Sequence, residues 1–269
     1  MPRIVTEMME RLGLGNASGY GLALGGGGAR GFAHVGVIKA LESAGIKLSV
    51  LSGVSAGSIA AVLYGAGLTP DEMLECFLEY PKFGDYAEWS IPKAGFFKLD
   101  KFAQMLDSWL PVKKLEDMEI PTVVCAADLE NGKSVGWMRG DVVPRVLASC
   151  SIPIVFKPVR IGTKHYVDGG VLRNLPAWAI RERCKTLIGS NCSPLNRTYK
   201  YKESMLGIGM RTYQLMAKAN MLQDLNLCDI VVMSAETAHF GTFDISLMKK
   251  IVTAGYDSAC EALQAAGLK

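Results

Sequence analysis

The chain has 269 residues, 49% hydrophobic and 20% charged, which is enough apolar material for a full buried core at a length near the upper end of one domain. Its 29 basic residues nearly balance 26 acidic ones, the net charge is +3, and no run of five or six like charges occurs, so a nucleic-acid footprint is excluded. Seven scattered cysteines without C-x-x-C spacing read as reduced core thiols, no stretch approaches the ~18 apolar residues of a membrane span, and a cytoplasmic protein is expected.

Residues 1–18 form an N-terminal extension in which Ile4, Val5, Met8, Met9 and Leu12 recur at helical spacing before Gly13 and Gly15, predicting a short amphipathic helix. Only Arg3 and Arg11 are basic there, which favours packing on the domain or on a partner subunit over docking on a membrane surface. A strand is predicted over 20–24 and a helix over 32–44, with Phe32, Val35, Ile38 and Leu41 on one face and Gly45 as its cap. After a strand at 48–51, the segment 58–64 is apolar nearly all round and reads as a helix buried on every side. Over 69–111 a helical pattern is broken by Pro81, Pro92 and Gly95 and interleaved with Phe83, Trp89, Phe96, Phe97 and Trp109, the signature of a substrate-covering cap. Further strands are predicted at 122–127, 134–138, 165–167, 186–190 and 230–233, with helices at 142–149, 177–184, 204–225 and 245–266. This alternation predicts an α/β fold in three layers, a mostly parallel central sheet with helices on both faces, in one domain over 1–269.

Two glycine-rich turns stand where a strand hands over to a helix. The second, Gly53-Val54-Ser55-Ala56-Gly57, has the G-x-S-x-G spacing that lets a strained turn lift a serine hydroxyl toward a substrate carbonyl. The first, Gly25 to Gly31, has the spacing of a dinucleotide fingerprint, but no Asp or Glu occurs from Ser43 to Pro70 to take the ribose, and Phe32 stands where a phosphate loop requires lysine. The remaining readings are a plain tight turn or a cradle of amides beside Ser55.

A serine needs a base. Of three histidines, His34 falls in a helix, His165 in a strand and His239 in a late loop, and none resembles the histidine loop of an α/β-hydrolase. The better-marked partner is Asp168 in Tyr166-Val167-Asp168-Gly169-Gly170, where a strand delivers a carboxylate at its C-terminal end and two glycines turn the chain away. His165, an odd number of positions earlier, should face the opposite side, toward solvent. Asp128, ending another strand, is expected to cap backbone amides.

The blocks Gly26 to Gly31 with Arg30, Gly53 to Gly57 around Ser55, and Asp168-Gly169-Gly170 resemble those of the patatin-like phospholipases, and Ala127-Asp128-Leu129 with Gly132, Ala148-Ser149 through Pro153 and Asn174-Leu175-Pro176 follow in the same order. The resemblance implies a Ser55/Asp168 dyad that hydrolyses phospholipids or lysophospholipids through an acyl-Ser55 intermediate, with no histidine, cofactor or metal. Such a dyad requires Asp168 to be desolvated, because an ordinary aspartate is a feeble base toward an alcohol. Backbone amides of Gly26, Gly27, Gly28 and Ala56 are the candidate oxyanion donors, with Arg30 adding charge, and a methyl group at Gly27 is expected to intrude on the substrate oxygen. Thirteen methionines, the aromatic stretch and the helix around Ile59 suggest an apolar acyl pocket for a lipid or other acyl ester. The rival class is an idle lipid-binding scaffold; peripheral membrane contact and a homo-oligomer stay open.

Overall fold

The computed structural model describes residues 19–78, 88–89, 97–194, 201–242 and 245–268; the predicted N-terminal helix and Phe83 and Phe96 lie outside them. In chain order the elements are β1 (Tyr20–Leu24), α1 (Phe32–Ser43), β2 (Leu48–Val54), α2 (Ala56–Gly65), α3 (Pro70–Leu78), β3 (Glu88–Trp89), β4 (Phe97–Lys98) and α4 (Asp100–Trp109). They continue with β5 (Thr122–Asp128), β6 (Lys133–Trp137), α5 (Val142–Cys150), β7 (Val159–Ile161), β8 (Lys164–Asp168), β9 (Thr186–Asn191), α6 (Met205–Leu225), β10 (Ile230–Met233) and α7 (Met248–Ala265).

The main sheet has the order β10-β9-β1-β2-β5-β8-β7, with β6 also on β5. From β10 to β5 the pairs are parallel; β6 and β8 run antiparallel to β5, and β7 antiparallel to β8. The pleat divides the core. Leu22, Leu24 and Leu51 face a layer built from α1 to α5 and α7, whereas Ala23, Val50 and Val54 face Leu175, Ile180, Leu187 and Met221 of α6 on the other side. Strands apolar on both faces are what this sandwiching demands.

The described helices of the 69–111 region do not stand apart from that core. Met73 of α3 and Phe102 and Leu106 of α4 are buried in the larger cluster, along with Val142 and Val146 of α5. Two predicted elements differ. The helix expected at 177–184 is two 3-10 turns, Pro176–Ala179 and Arg181–Arg183, separated where Ile180 adopts φ −131°. There the Arg181 guanidinium donates to the carbonyls of Cys184, Lys185 and Leu227, which ties the backbone to loops instead of letting it coil on. Strand β7 was missed because three residues carry too little alternation to read; the turn at Gly162, with φ 64°, pairs it with β8. All seven cysteines are free thiols, three of them buried. Among the described residues no helix is long and apolar enough to cross a membrane.

Candidate active site

Ser55 sits on the turn between β2 and α2 with φ 53° and ψ −128°, a conformation that costs a non-glycine residue on the order of 1–3 kcal/mol. The turn is tight enough that a Cβ on Gly57 would lie 2.1 Å from the Leu24 carbonyl oxygen, so only glycine fits there. Four hydrogen bonds hold the strained residue, the longest from the Ile59 N–H to its carbonyl at 3.4 Å. The Ser55 N–H donates to Ser149 Oγ at 2.8 Å, and both the N–H and the hydroxyl of Ser58 donate to its carbonyl, at 2.8 and 2.6 Å. The Ser149 hydroxyl donates onward to the Cys125 carbonyl at 2.6 Å, fixing the elbow to β5. Neither serine had a role assigned from sequence, although Ser149 lies in one of the weaker blocks.

Asp168 ends β8 opposite Ala126 of β5 and is fully buried. Its Oδ1 accepts the Gly170 N–H at 2.8 Å, while Oδ2 has no hydrogen-bond partner. The hydroxyls of Ser55 and Tyr213 face the carboxylate without a bond of good length and angle. Burial dominates over these donors and raises the Asp168 pKa to about 6. The structure thus brings Ser55 and Asp168 together from distant positions and adds Tyr213 of α6, a residue no sequence motif marked. Burial and the neighbouring Asp168 charge push the Tyr213 phenol well up, so it remains a neutral donor.

The glycine loop beside Ser55 divides into bonded and open amides. Gly25 and Gly26 donate to the carbonyls of Ser190 and Asn174 at 3.0 and 3.1 Å, so the Gly26 amide, expected in the cradle, is already engaged. Among the described residues no acceptor takes the N–H of Gly27 or Gly28, and Ala56 opens α2, where first-turn amides lack intrahelical acceptors. Arg30 braces the loop: Nε donates to the Gly27 carbonyl at 3.3 Å and a terminal nitrogen to Thr242 Oγ1 at 3.0 Å. The expectation for Gly27 changes, because its Cβ would strike Cys192 Sγ at 2.6 Å, a packing conflict with the protein's own side chain.

His34 is buried behind this loop, with Nε2 2.7 Å from the Gly25 carbonyl and Nδ1 2.8 Å from Ser190 Oγ. The carbonyl can only accept, which assigns the ring proton to Nε2 and makes Ser190 the donor to Nδ1. Burial lowers its pKa to about 4, and with both nitrogens engaged it is a structural pin. His165 is exposed and bonded to Glu130, as its strand position predicts, and His239 is exposed on a 3-10 turn. Asp128 accepts from Asn131 and Lys164, the capping role expected of it.

Two cavities open onto Ser55. The larger, about 150 Å³, is walled by apolar residues including Phe32, Ile59, Leu63, Met73, Phe77 and Phe102, so α3 and α4 from residues 69–111 supply its far side. The smaller, about 30 Å³, is lined by the glycine loop with Arg30, Asn174, Tyr213, Gln214, Lys218 and Thr242. Among the described residues no group of three or more His, Cys, Asp or Glu side chains is placed to hold a metal ion.

Helix α6 ties the site together from the far face. Asn220 accepts from the Asn174 N–H and donates to the carbonyls of Gly170 and Val171, and buried Asp224 pairs with Arg173 through two bonds of 2.6 and 2.7 Å.

A family model described as patatin-like phospholipase matches residues 22–180. An NTE family protein of Mycobacterium tuberculosis is 32% identical over 158 residues, covering 58% of this chain and 27% of its own length. Patatin-like phospholipase domain-containing protein 6 of Mus musculus is 28% identical over 196 residues, covering 69% of this chain and 14% of its own. The chain therefore spans about a quarter or less of these relatives. VipD from Legionella pneumophila has the same fold, with a TM-score of 0.54 at 14% identity over 93% of this chain and 67% of that one.

Proposed function

Because this chain belongs to the patatin-like phospholipase family, we propose that it hydrolyses carboxylic esters of lipids, phospholipid or lysophospholipid, with Ser55 as nucleophile and Asp168 as proton acceptor. The observation that carries the reading is the buried Asp168 carboxylate, one oxygen unpartnered, faced by the hydroxyl of a serine that lines an apolar cavity.

The acyl chain enters the larger cavity and its ester carbonyl meets Ser55 Oγ, whose proton passes to Asp168 Oδ2 as the C–O bond forms. Raised to about 6, the Asp168 pKa leaves the group ionised at neutral pH and about two units more basic than an ordinary aspartate. The tetrahedral oxyanion is received by the amides of Gly27, Gly28 and Ala56, donors of a kind worth about 3 kcal/mol of barrier each. Collapse expels the alcohol, which takes the proton from Asp168. Water, deprotonated by the same carboxylate, then attacks the acyl-Ser55 carbonyl, and collapse breaks the Oγ–C bond, returns the proton from Asp168 to Ser55 Oγ and releases the fatty acid.

The experiment is fluorophosphonate labelling together with hydrolysis of a p-nitrophenyl acyl ester, in wild type and Ser55→Ala. Labelling and turnover in wild type alone are expected. No labelling of either protein overturns the reading in favour of a lipid-binding scaffold.

A further inference from the structure

Helix α6 is apolar on two opposite faces. One face packs inward: Met221 is in the core, and Met210, Tyr213, Gln214 and Ala217 line the small cavity beside Ser55. The other is uncovered, with Met205 (83% exposed), Ile208 (52%), Leu215 (46%), Met216 (42%) and Leu222 (61%) falling on one side of the helix, Ile208, Leu215 and Leu222 a heptad apart. They form one stripe about 25 Å long, at 1.5 Å rise per residue. Half of the exposed large hydrophobics of the described chain fall on this single face, and soluble surfaces rarely gather so many.

The patch runs on toward the active site. Ile154, 48% exposed, lies against α6 at Gly209 and is held at φ 73°, a conformation that β-branched residues rarely adopt. Two residues before it, Ile152 lines both cavities. Exposed Glu203 stands just ahead of the stripe, but on the helix itself charge has one sign. From Met205 to Gln223 the helix carries Arg211 and Lys218 and no acid, and the next acid, Asp224, is buried against Arg173.

We infer that the outer face of α6, extended by Ile154, docks this protein on an anionic lipid surface and sets the mouth of the active site against it. The occupant follows from the proposed lipid hydrolase reading, on which this inference rests, and from charge. A second copy packed antiparallel along the same stripe would set Arg211 near the other copy's Lys218, like charge on like charge, whereas an anionic bilayer attracts both and accepts the apolar row between its headgroups. Docking in this sense needs no conversion of the fold, only partial insertion of side chains already turned outward.

The test is co-sedimentation of the full chain with vesicles of phosphatidylcholine, with and without phosphatidylglycerol, for wild type and a variant combining Ile208→Gln, Leu215→Gln and Leu222→Gln. Wild type should bind the anionic vesicles more tightly, and the variant should lose roughly tenfold or more of that binding. Turnover of soluble p-nitrophenyl butyrate should stay within about twofold, because these side chains point away from Ser55. Ile208→Gln and Leu222→Gln made singly, each weakening binding a few-fold, keep the test informative if the triple variant misfolds. Unchanged vesicle binding in the variants, or wild type that ignores vesicles, overturns the inference. So does wild type that sediments as a dimer which the variant splits, since the face would then meet a second copy. Loss of ester turnover in both proteins strikes the hydrolase reading instead, and is scored separately from vesicle binding.

Discussion

Replacing Asp168 by asparagine should make the protein more stable at neutral pH while removing its activity. Asp168 is fully buried, and its folded pKa of about 6 lies above the ordinary value of 3.8. Between those values the folded chain binds more protons than the unfolded one, so this group lowers stability as pH rises through the window; the cost is complete above about pH 6 and absent below about 3.8. A shift of about two units at 1.36 kcal/mol per unit sets an upper bound of about 3 kcal/mol, to be gained by a neutral isostere. Asparagine suits the site: its oxygen can keep the Gly170 N–H, and its amide nitrogen faces the Ser55 and Tyr213 hydroxyls, both able to accept. His34 works in the opposite direction, since a histidine held near a pKa of about 4 loses stability as pH falls below about 6.5, so raw pH curves of either protein mix the two groups. The difference between them isolates Asp168. Urea unfolding of wild type and Asp168→Asn at pH 4, 6 and 8 should show a gap that widens to a few kcal/mol with rising pH, with kcat/KM down about a thousandfold at pH 8 and by less at pH 4, where Asp168 of the wild type is itself protonated. A gap that is flat with pH, or a variant less stable at pH 8, would refute the reasoning from burial.

Three other changes probe the same assembly. Tyr213→Phe removes a neutral donor worth about 1 kcal/mol, so the acid limb of the kcat/KM profile should move up from about 6 by roughly half to one unit, and an unmoved limb would deny Tyr213 any hold on Asp168. Ser55→Gly should abolish fluorophosphonate labelling yet hold or raise the melting temperature, because glycine relieves the φ of 53°; a clear fall would mean the elbow is not strained. His34→Leu leaves the Gly25 carbonyl and the Ser190 hydroxyl without their ring partner, and should cost about 2–3 kcal/mol in urea unfolding along with most of the turnover. Full activity in that variant would show that the loop keeps its shape without the imidazole.

What could be read from the sequence was whatever the backbone must do locally. A serine at positive φ requires glycines around it, a chain turning off the end of a strand requires Gly169-Gly170, and amides presented in a row require a glycine run, so Ser55, Asp168 and the Gly27-Gly28 cradle announce themselves within a few residues. Tyr213, Asn220 and Thr242 act across the fold on those same groups, and nothing in their own neighbourhoods demands them. Helix α6 is apolar on both sides, which blurs its periodicity, so the sequence predicted the helix but not which face would carry Tyr213 toward Asp168. The misread segment 177–184 fails for a related reason: its apolar spacing suits a helix, but Arg181 reaches carbonyls on either side of it, one of them 46 positions away, and a window of local pattern cannot see that bond. This split has a physical consequence for the site. The proposed nucleophile and its proposed acceptor are fixed by backbone geometry within residues 22–180, where the family model matches, whereas the donor facing the carboxylate and the face proposed to meet lipid both ride on one helix beyond that span. Changes on α6 are therefore expected to retune the carboxylate and the proposed lipid face while the bonds that hold the elbow, to Ser149 and Ser58, stay in place.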